Sequence, residues 1–333
     1  MSTPTPLASF LGGFGLALPV HSLLVLNGSV FGISGFVHRA VRGNKEGLIA
    51  TAGLIIGGII IGTIEGRGPE TSFSPLPSLL LSGFLVGLGT KLSNGCTSGH
   101  MLAGLSRFSK RSIAATATFF CTAVATTKLQ HSPTIIPANP PDYNMNTADK
   151  TLLIAQTVPL IASALLYAYV RLRLHAADLC AHICTGVNHE SLSVVRLVAL
   201  LSTAVDFALA LRLSNLTDPK KVTAFLLLPF HPAFDPSLAF LAIGAIPIGA
   251  ALYHFFRGPE KPVLGGPWAI PKSGNVDTKL LLGSVLFGIG WGASGLCPGP
   301  VVINLGRALA TGSQLTSWLS WSLSFIAGGL CVN

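Results

Sequence analysis

Charge is what this sequence has least of. A tenth of its 333 residues are Asp, Glu, Lys or Arg, half are hydrophobic, and mean hydropathy is +0.64. A chain so balanced cannot hide its apolar side chains inside one water-facing core, and lipid is the solvent that fits. Paired metal ligands are missing as well. The cysteines at 96, 121, 180, 184, 297 and 331 include no CxxC, and only Cys180-Ala181-His182-Ile183-Cys184 forms a cluster. It offers three zinc ligands unless His175 or His189 joins; a polar loop is the other reading. Neither a cofactor motif nor a resident metal or cofactor is indicated. The opening MSTPTP lacks a basic n-region, so Leu7 to Leu26 reads as a retained span rather than a cleaved leader.

What is present is a series of long uncharged runs. Leu7 to Leu26, Gly47 to Ile64, Thr151 to Val170, Ser237 to Phe256 and Leu280 to Gly306 carry no Asp, Glu, Lys or Arg, and each is near or above the ~18–20 residues that cross a bilayer. Leu76 to Thr90, Ser112 to Thr127 and Leu197 to Leu211 are shorter candidates. The net charge of +9 would suggest nucleic acid in a soluble protein, but here the basic residues sit at the ends of apolar runs, which is membrane topology. The sequence therefore reads as an all-α integral membrane protein of about nine spans, with the plasma membrane favoured and no nucleic-acid partner.

The chain also repeats itself. LSGFLVGLGTKLSNGC and LLGSVLFGIGWGASGLC superpose without gaps when Cys96 is set on Cys297, which brings Gly87 onto Gly288, Gly89 onto Gly290 and Ser93 onto Ser294. An odd number of membrane elements separates equivalent points, so the halves are expected to lie with opposite orientation, as an inverted repeat. Residues 1–128 and 192–333 are then two half-repeats, joined by the linking span and loops of 129–191. Arg39, Arg42, Lys45, Arg107, Lys110, Arg111, Arg171 and Arg173 fall on one side if the N-terminus is outside, which the positive-inside rule favours. Lys220 and Lys221 fall on the other.

Each repeat cysteine sits where a helix must break. Asn94-Gly95-Cys96-Thr97-Ser98-Gly99-His100 and Gly295-Leu296-Cys297-Pro298-Gly299-Pro300 lie between apolar stretches, and irregular backbone at membrane depth survives only where it is buried in protein or lines a cavity. Pro298 suits the first turn of a helix, which makes Cys297 its N-cap, and the same frame sets Cys96 before Thr97 and Ser98. Helix N-termini present partial positive charge and free donors, so both breaks suit an anion; they also favour the thiolate, a ready partner for another sulphur. Weak donors in series bind without trapping, as transport requires. Plain buried apolar cysteines are the alternative, and the expected reading for Cys121 and Cys331 in their continuous apolar helices. His100, four residues after Cys96, would share its helical face and either donate to the anion, relay a proton or make an interhelical hydrogen bond. Asp206 is either a functional intramembrane acid or the ion-pair partner of Arg196 or Arg212. A further break, Asn27 to Gly35, contributes Gly32, Ser29 and Ser34 as candidate site residues.

These motifs resemble those of the YeeE/YedE sulphur-transport family. GLGTKLSNGCTSGHMLAGLSRFSKRSIAATATFF is similar to the first-half signature. DPKKVTAFL, FDPSLAF, PVLGGPWAIP and LLLGSVLFGIGWGASGLCPGP are similar to the companion unit, which in bacteria can be a separate short chain. The resemblance covers most of the chain and implies an hourglass-like bundle with re-entrant half-helices that takes up thiosulphate or a related small sulphur-containing anion, in contact with Cys96 and Cys297. A membrane-embedded thiol or persulphide enzyme and a passive anion channel are the competing readings. Two departures bear on substrate identity: the third cysteine of thiosulphate-carrying members falls at Phe31, and Asn215 stands where a Gly is usual.

Overall fold

The computed structural model describes residues 3–69, 73–131, 138–180, 189–271 and 274–332, and every regular element among them is helical. In chain order these are α1 (Pro6–Asn27), α2 (Ile33–Val41), α3 (Lys45–Glu65), α4 (Leu76–Leu92), a π-helix π1 (Thr97–Gly104), α5 (Lys110–His131), α6 (Thr147–Cys180), α7 (His189–Leu213), α8 (Pro219–Leu226), α9 (Ser237–Phe256), α10 (Thr278–Ser294), α11 (Pro298–Thr311) and α12 (Leu315–Leu330). Most of the Cys180 to Cys184 cluster lies outside the described residues.

Helix ends follow local chemistry. The carboxylate of Asp277 accepts from Leu280 N at 2.8 Å and the Asn44 side chain from Gly47 N at 2.9 Å, starting α10 and α3. Five helices are long and apolar enough to cross a membrane, or seven spans if each of two bent pairs counts as one: α4 with π1, bent by 48°, and α10 with α11, bent by 41°. The single run read from Leu280 to Gly306 is thus a broken one. Outward-facing residues support the lipid setting. Ile154, Val158, Ile161 and Leu165 follow one another along a face of α6, each more than half exposed, an apolar stripe that suits lipid and not water.

Equivalent helices of the sequence repeat pack on each other. α4 and α10 run antiparallel, with Gly89 against Gly283 and Phe287, and Gly290 against Ser82 and Val86. Moving either set by the repeat spacing reproduces the other. Neither glycine has room for a methyl group, so the two backbones meet as closely as small residues allow in membrane helix pairs. The same exchange holds further out, where α4 packs on α12 while α10 packs on α5, and α3 packs on α7 while α9 packs on α1.

One buried ionic cluster ties three helices together. Glu65, at the end of α3, accepts from Arg212 of α7 and Arg307 of α11. Arg307 also donates to Asn304 Oδ1 at 2.9 Å, and Asn304 donates to Thr217 O at 2.8 Å. Burying these charges is tolerable only because each is paired and hydrogen-bonded.

Candidate functional site

Cys96 and Cys297 occupy matching places. Each is the N-cap of the helix after the bend, with extended backbone at φ −132° in both. Asn94 (φ 57°) and Gly295 (φ 67°) turn the chain in the left-handed region two residues earlier, a conformation that Gly takes freely and Asn tolerates. Ser93 and Ser294 each donate back to a glycine carbonyl, Gly89 O at 2.8 Å and Gly290 O at 2.9 Å. The local sequence thus builds the same bend twice, and each ends in a buried thiol, Cys96 1 % and Cys297 2 % exposed.

The two bends meet. The Thr97 hydroxyl hydrogen-bonds the Cys297 sulphur at 3.6 Å, and the Cys96 sulphur contacts Ser98 Oγ at 3.3 Å. Cys96, Thr97, Ser98, Cys297, Gly299 and Pro300 all line one cavity, whose remaining wall is apolar and includes Phe120, Phe207, Met101 and Trp291. Among the described residues, no charged side chain lines it. The Cys96 sulphur makes no hydrogen bond to the backbone N–H groups of its own helix, whereas the Gly299 N–H is directed at the Cys297 sulphur. The two starts differ in donors: Thr97, Ser98 and Gly99 each carry an N–H, whereas Pro298 and Pro300 leave Gly299 as the single donor in the first turn of α11.

The other sequence candidates lie behind this wall. His100 is buried, its Nδ1 3.2 Å from Ser112 Oγ and its Nε2 3.2 Å from Ser93 O, so it braces π1 against α5 and the end of α4. Of the roles expected for His100 this is the interhelical hydrogen bond, and the cavity-lining residue of π1 one place on is Met101. Gly95 makes room for the imidazole, since a methyl there would come within 2.6 Å of His100 Nε2. Gly99 stands against Gly32, and the Ile33 N–H donates to Ser98 Oγ at 3.1 Å, so the early break supports the Cys96 bend from outside. Ser34 is buried at the start of α2, and Pro298 at the first position of α11, outside the cavity lining.

Asp206 is wholly buried, with the Gln156 side-chain amide beside its carboxylate and no cation paired with it among the described residues. The arginines expected to pair with it are engaged elsewhere, Arg212 with Glu65 and Arg196 with Glu46 at 3.3 Å. Cys121 and Cys331 are exposed on the outer surface. Sequence reasoning passed over Trp291, which lines the cavity and whose buried indole N–H has no partner among the described residues. Its place one helical turn before the Gly295 bend was the available signal. Phe31, the family's third thiol position, is buried and stacked on Phe207. Asn215 takes φ 65°, and its amide donates to Thr5 Oγ1 at 3.0 Å and Ser9 Oγ at 3.1 Å, so the position usual for Gly keeps its left-handed turn and gains an anchor.

Fold and site together define a multi-pass helical membrane protein with two thiols on one uncharged interior cavity. Residues 5–126 match the model of a family described as sulphur transport, and residues 195–331 match that of a family of unknown function, DUF6691. Two proteins of Xylella fastidiosa, both named probable transporter, are similar to parts of the chain. One, from strain 9a5c, is 43% identical over 119 residues, 35% of this chain and 88% of its own length. Another, from strain Temecula1, is 30% identical over 125 residues, 38% of this chain and 84% of its own length. The chain belongs to the YeeE/YedE sulphur-transport family.

Proposed function

We propose that this protein carries a small sulphur-containing anion, thiosulphate or a close relative, across the plasma membrane through the cavity where Cys96 and Cys297 converge. The observation that carries the reading is the contact of the Thr97 hydroxyl with the Cys297 sulphur, which joins two thiol-bearing helix starts at one interior space. A dianion entering it meets partial positive charge from two helix N-termini, hydroxyls from Thr97 and Ser98, and the free indole N–H of Trp291. With no formal charge in the lining, those donors stabilise the anion without holding it for long. The polarisable thiols distinguish a sulphur terminus from an all-oxygen anion of the same charge.

The exchange of contacts between α4 and α10, and their antiparallel course, support an inverted repeat of 1–128 and 192–333 about the linking region 129–191. Counting α5 and α12 as spans beside the seven gives nine, with the two bent pairs meeting inside the membrane. Basic residues favour a cytoplasmic position for the Arg107 to Arg111 loop.

Uptake of labelled thiosulphate into proteoliposomes, with sulphate as competitor, is the direct test. Saturable uptake that sulphate leaves unaffected and that Cys297→Ala removes is the expected result. Uptake unchanged in both Cys96→Ala and Cys297→Ala, with normal insertion, would overturn it, and equal competition by sulphate would remove the sulphur-specific part.

A further inference from the structure

Behind Phe31 lies a second, smaller and partly open cavity, lined among others by His21, Ser29, Phe31, Ser106, Arg107 and Tyr253. It differs from the thiol cavity in its charge. Arg107 Nε donates to Ala103 O at 2.9 Å, and among the described residues its guanidinium has no carboxylate partner. Arg257, a turn beyond on α9, donates to Tyr253 Oη at 2.8 Å and has its own partner in Glu260, 3.7 Å away. The balance beside this cavity is therefore cationic. His21, Ser29, Arg107 and Tyr253 are all partly exposed, so the space is reachable from outside the bundle.

The partition between the two cavities includes an aromatic pair. Phe31 lines the second cavity, Phe207 lines the thiol cavity, and their rings stack 4.2 Å apart with planes within 10°. Phe31 is held on a short irregular segment between Gly28, the left-handed cap of α1, and Gly32, beside which a side chain would meet nothing within 4 Å. Phe31 is wholly buried and also packs edge-on to Phe36 at 5.5 Å, so its ring leaves Phe207 only by movement of this irregular segment.

We propose that the second cavity is an anion vestibule centred on Arg107, and that Phe31 is the gate between it and the thiols. With the Arg107 loop cytoplasmic, an oxyanion taken up past Cys96 and Cys297 reaches the guanidinium when Phe31 leaves Phe207 and is held there before release, a planar fork of donors suiting sulphur oxyanions as it suits phosphate. The inference rests on the transport reading for its purpose, but its geometry is testable without transport.

The experiment uses the full chain with Cys121, Cys180, Cys184 and Cys331 replaced by Ala, reconstituted in vesicles. The remaining thiols are modified from either face by sulphonatoethyl methanethiosulphonate, an anion, or its trimethylammonioethyl counterpart, a cation. Phe31→Ala is expected to speed modification from the Arg107 face by ~10-fold, the scale set by one aromatic stack, and Phe207→Ala to do the same, while Phe31→Leu keeps the plug. Arg107→Gln is expected to abolish the anionic reagent's advantage over the cationic one and to leave the Phe31→Ala acceleration intact. The gate is wrong if properly inserted Phe31→Ala and Phe207→Ala are both modified at the unsubstituted rate, or speed up equally from both faces. The vestibule is wrong if Arg107→Gln leaves the anion-to-cation ratio unchanged. Labelling as expected in a protein that takes up no thiosulphate would keep gate and vestibule and remove the transport reading, and the reverse pattern would do the opposite.

Discussion

The bend that starts π1 and the bend that starts α11 are the same device built twice, yet they are backed by different chemistry. Both set a buried cysteine in extended backbone at a helix N-cap after a left-handed turn. Behind π1 the support is neutral, from His100 between Ser112 and Ser93. Behind α11 it is ionic, from Arg307 and Arg212 on Glu65. The donors differ as well, with three N–H groups at one start and one at the other. On the proposed transport reading the two bends flank an asymmetric site: the Cys96 side would offer donors suited to oxygen, and the Cys297 side chiefly its sulphur.

Breaking the thiols should have the largest effect. Cys297→Ala and Cys96→Ala are each expected to lower thiosulphate uptake by ~100-fold, the scale on which a mispositioned reacting group acts, while Cys121→Ala and Cys331→Ala stay near the unsubstituted rate. Serine sharpens the comparison: Cys96→Ser should retain more uptake than Cys297→Ser, because neighbouring donors remain on that side. Equal losses would mean the two flanks are equivalent.

Next comes the ionic backing. Glu65→Gln leaves two buried arginines without a counter-charge and should destabilise the protein by about 3–5 kcal/mol, as breaking buried pairs does, measured as thermal unfolding in detergent. On the neutral flank, His100→Ala strips partners from Ser112 and Ser93 and should cost less, about 1–3 kcal/mol. A reversal of that order would show that the ionic cluster is not what holds α11.

Smallest is the bridge between the flanks. Thr97→Val keeps the volume and removes the hydroxyl that contacts Cys297, so substrate affinity should fall by about fivefold, the equivalent of ~1 kcal/mol for one neutral hydrogen bond, with little change in stability. An unchanged KM for uptake would mean that this contact is packing alone.

The apolar runs were legible residue by residue. Ser237 to Phe256 is α9 without adjustment, and Leu7 to Leu26 and Gly47 to Ile64 fall short of α1 and α3 by one or two residues at each end, because an uncharged run bounded by caps and charges has only one way to satisfy its backbone in lipid. The breaks were legible too, since Gly-Cys-Thr and Leu-Cys-Pro cannot continue the preceding helix. For His100 three roles were open in the sequence, and its bond to Ser112 matches the interhelical one, while nothing in Thr97 to Gly104 announces a π-helix. Asp206 lost its expected partners, Arg212 to Glu65 and Arg196 to Glu46, acids distant from it in sequence.

Sequence by itself determined that the chain needs lipid, where its helices start and stop, and that two thiols stand at matching helix starts, all consequences of local composition and backbone hydrogen bonding. Only the tertiary structure decided that Thr97 reaches Cys297, that Trp291 keeps a free donor beside them, and that Phe31 stacks on Phe207 between two cavities. These contacts join residues as far as 200 positions apart, and which side chains meet at that separation is set by how helices pack into one another, a close-packing problem that no local pattern encodes.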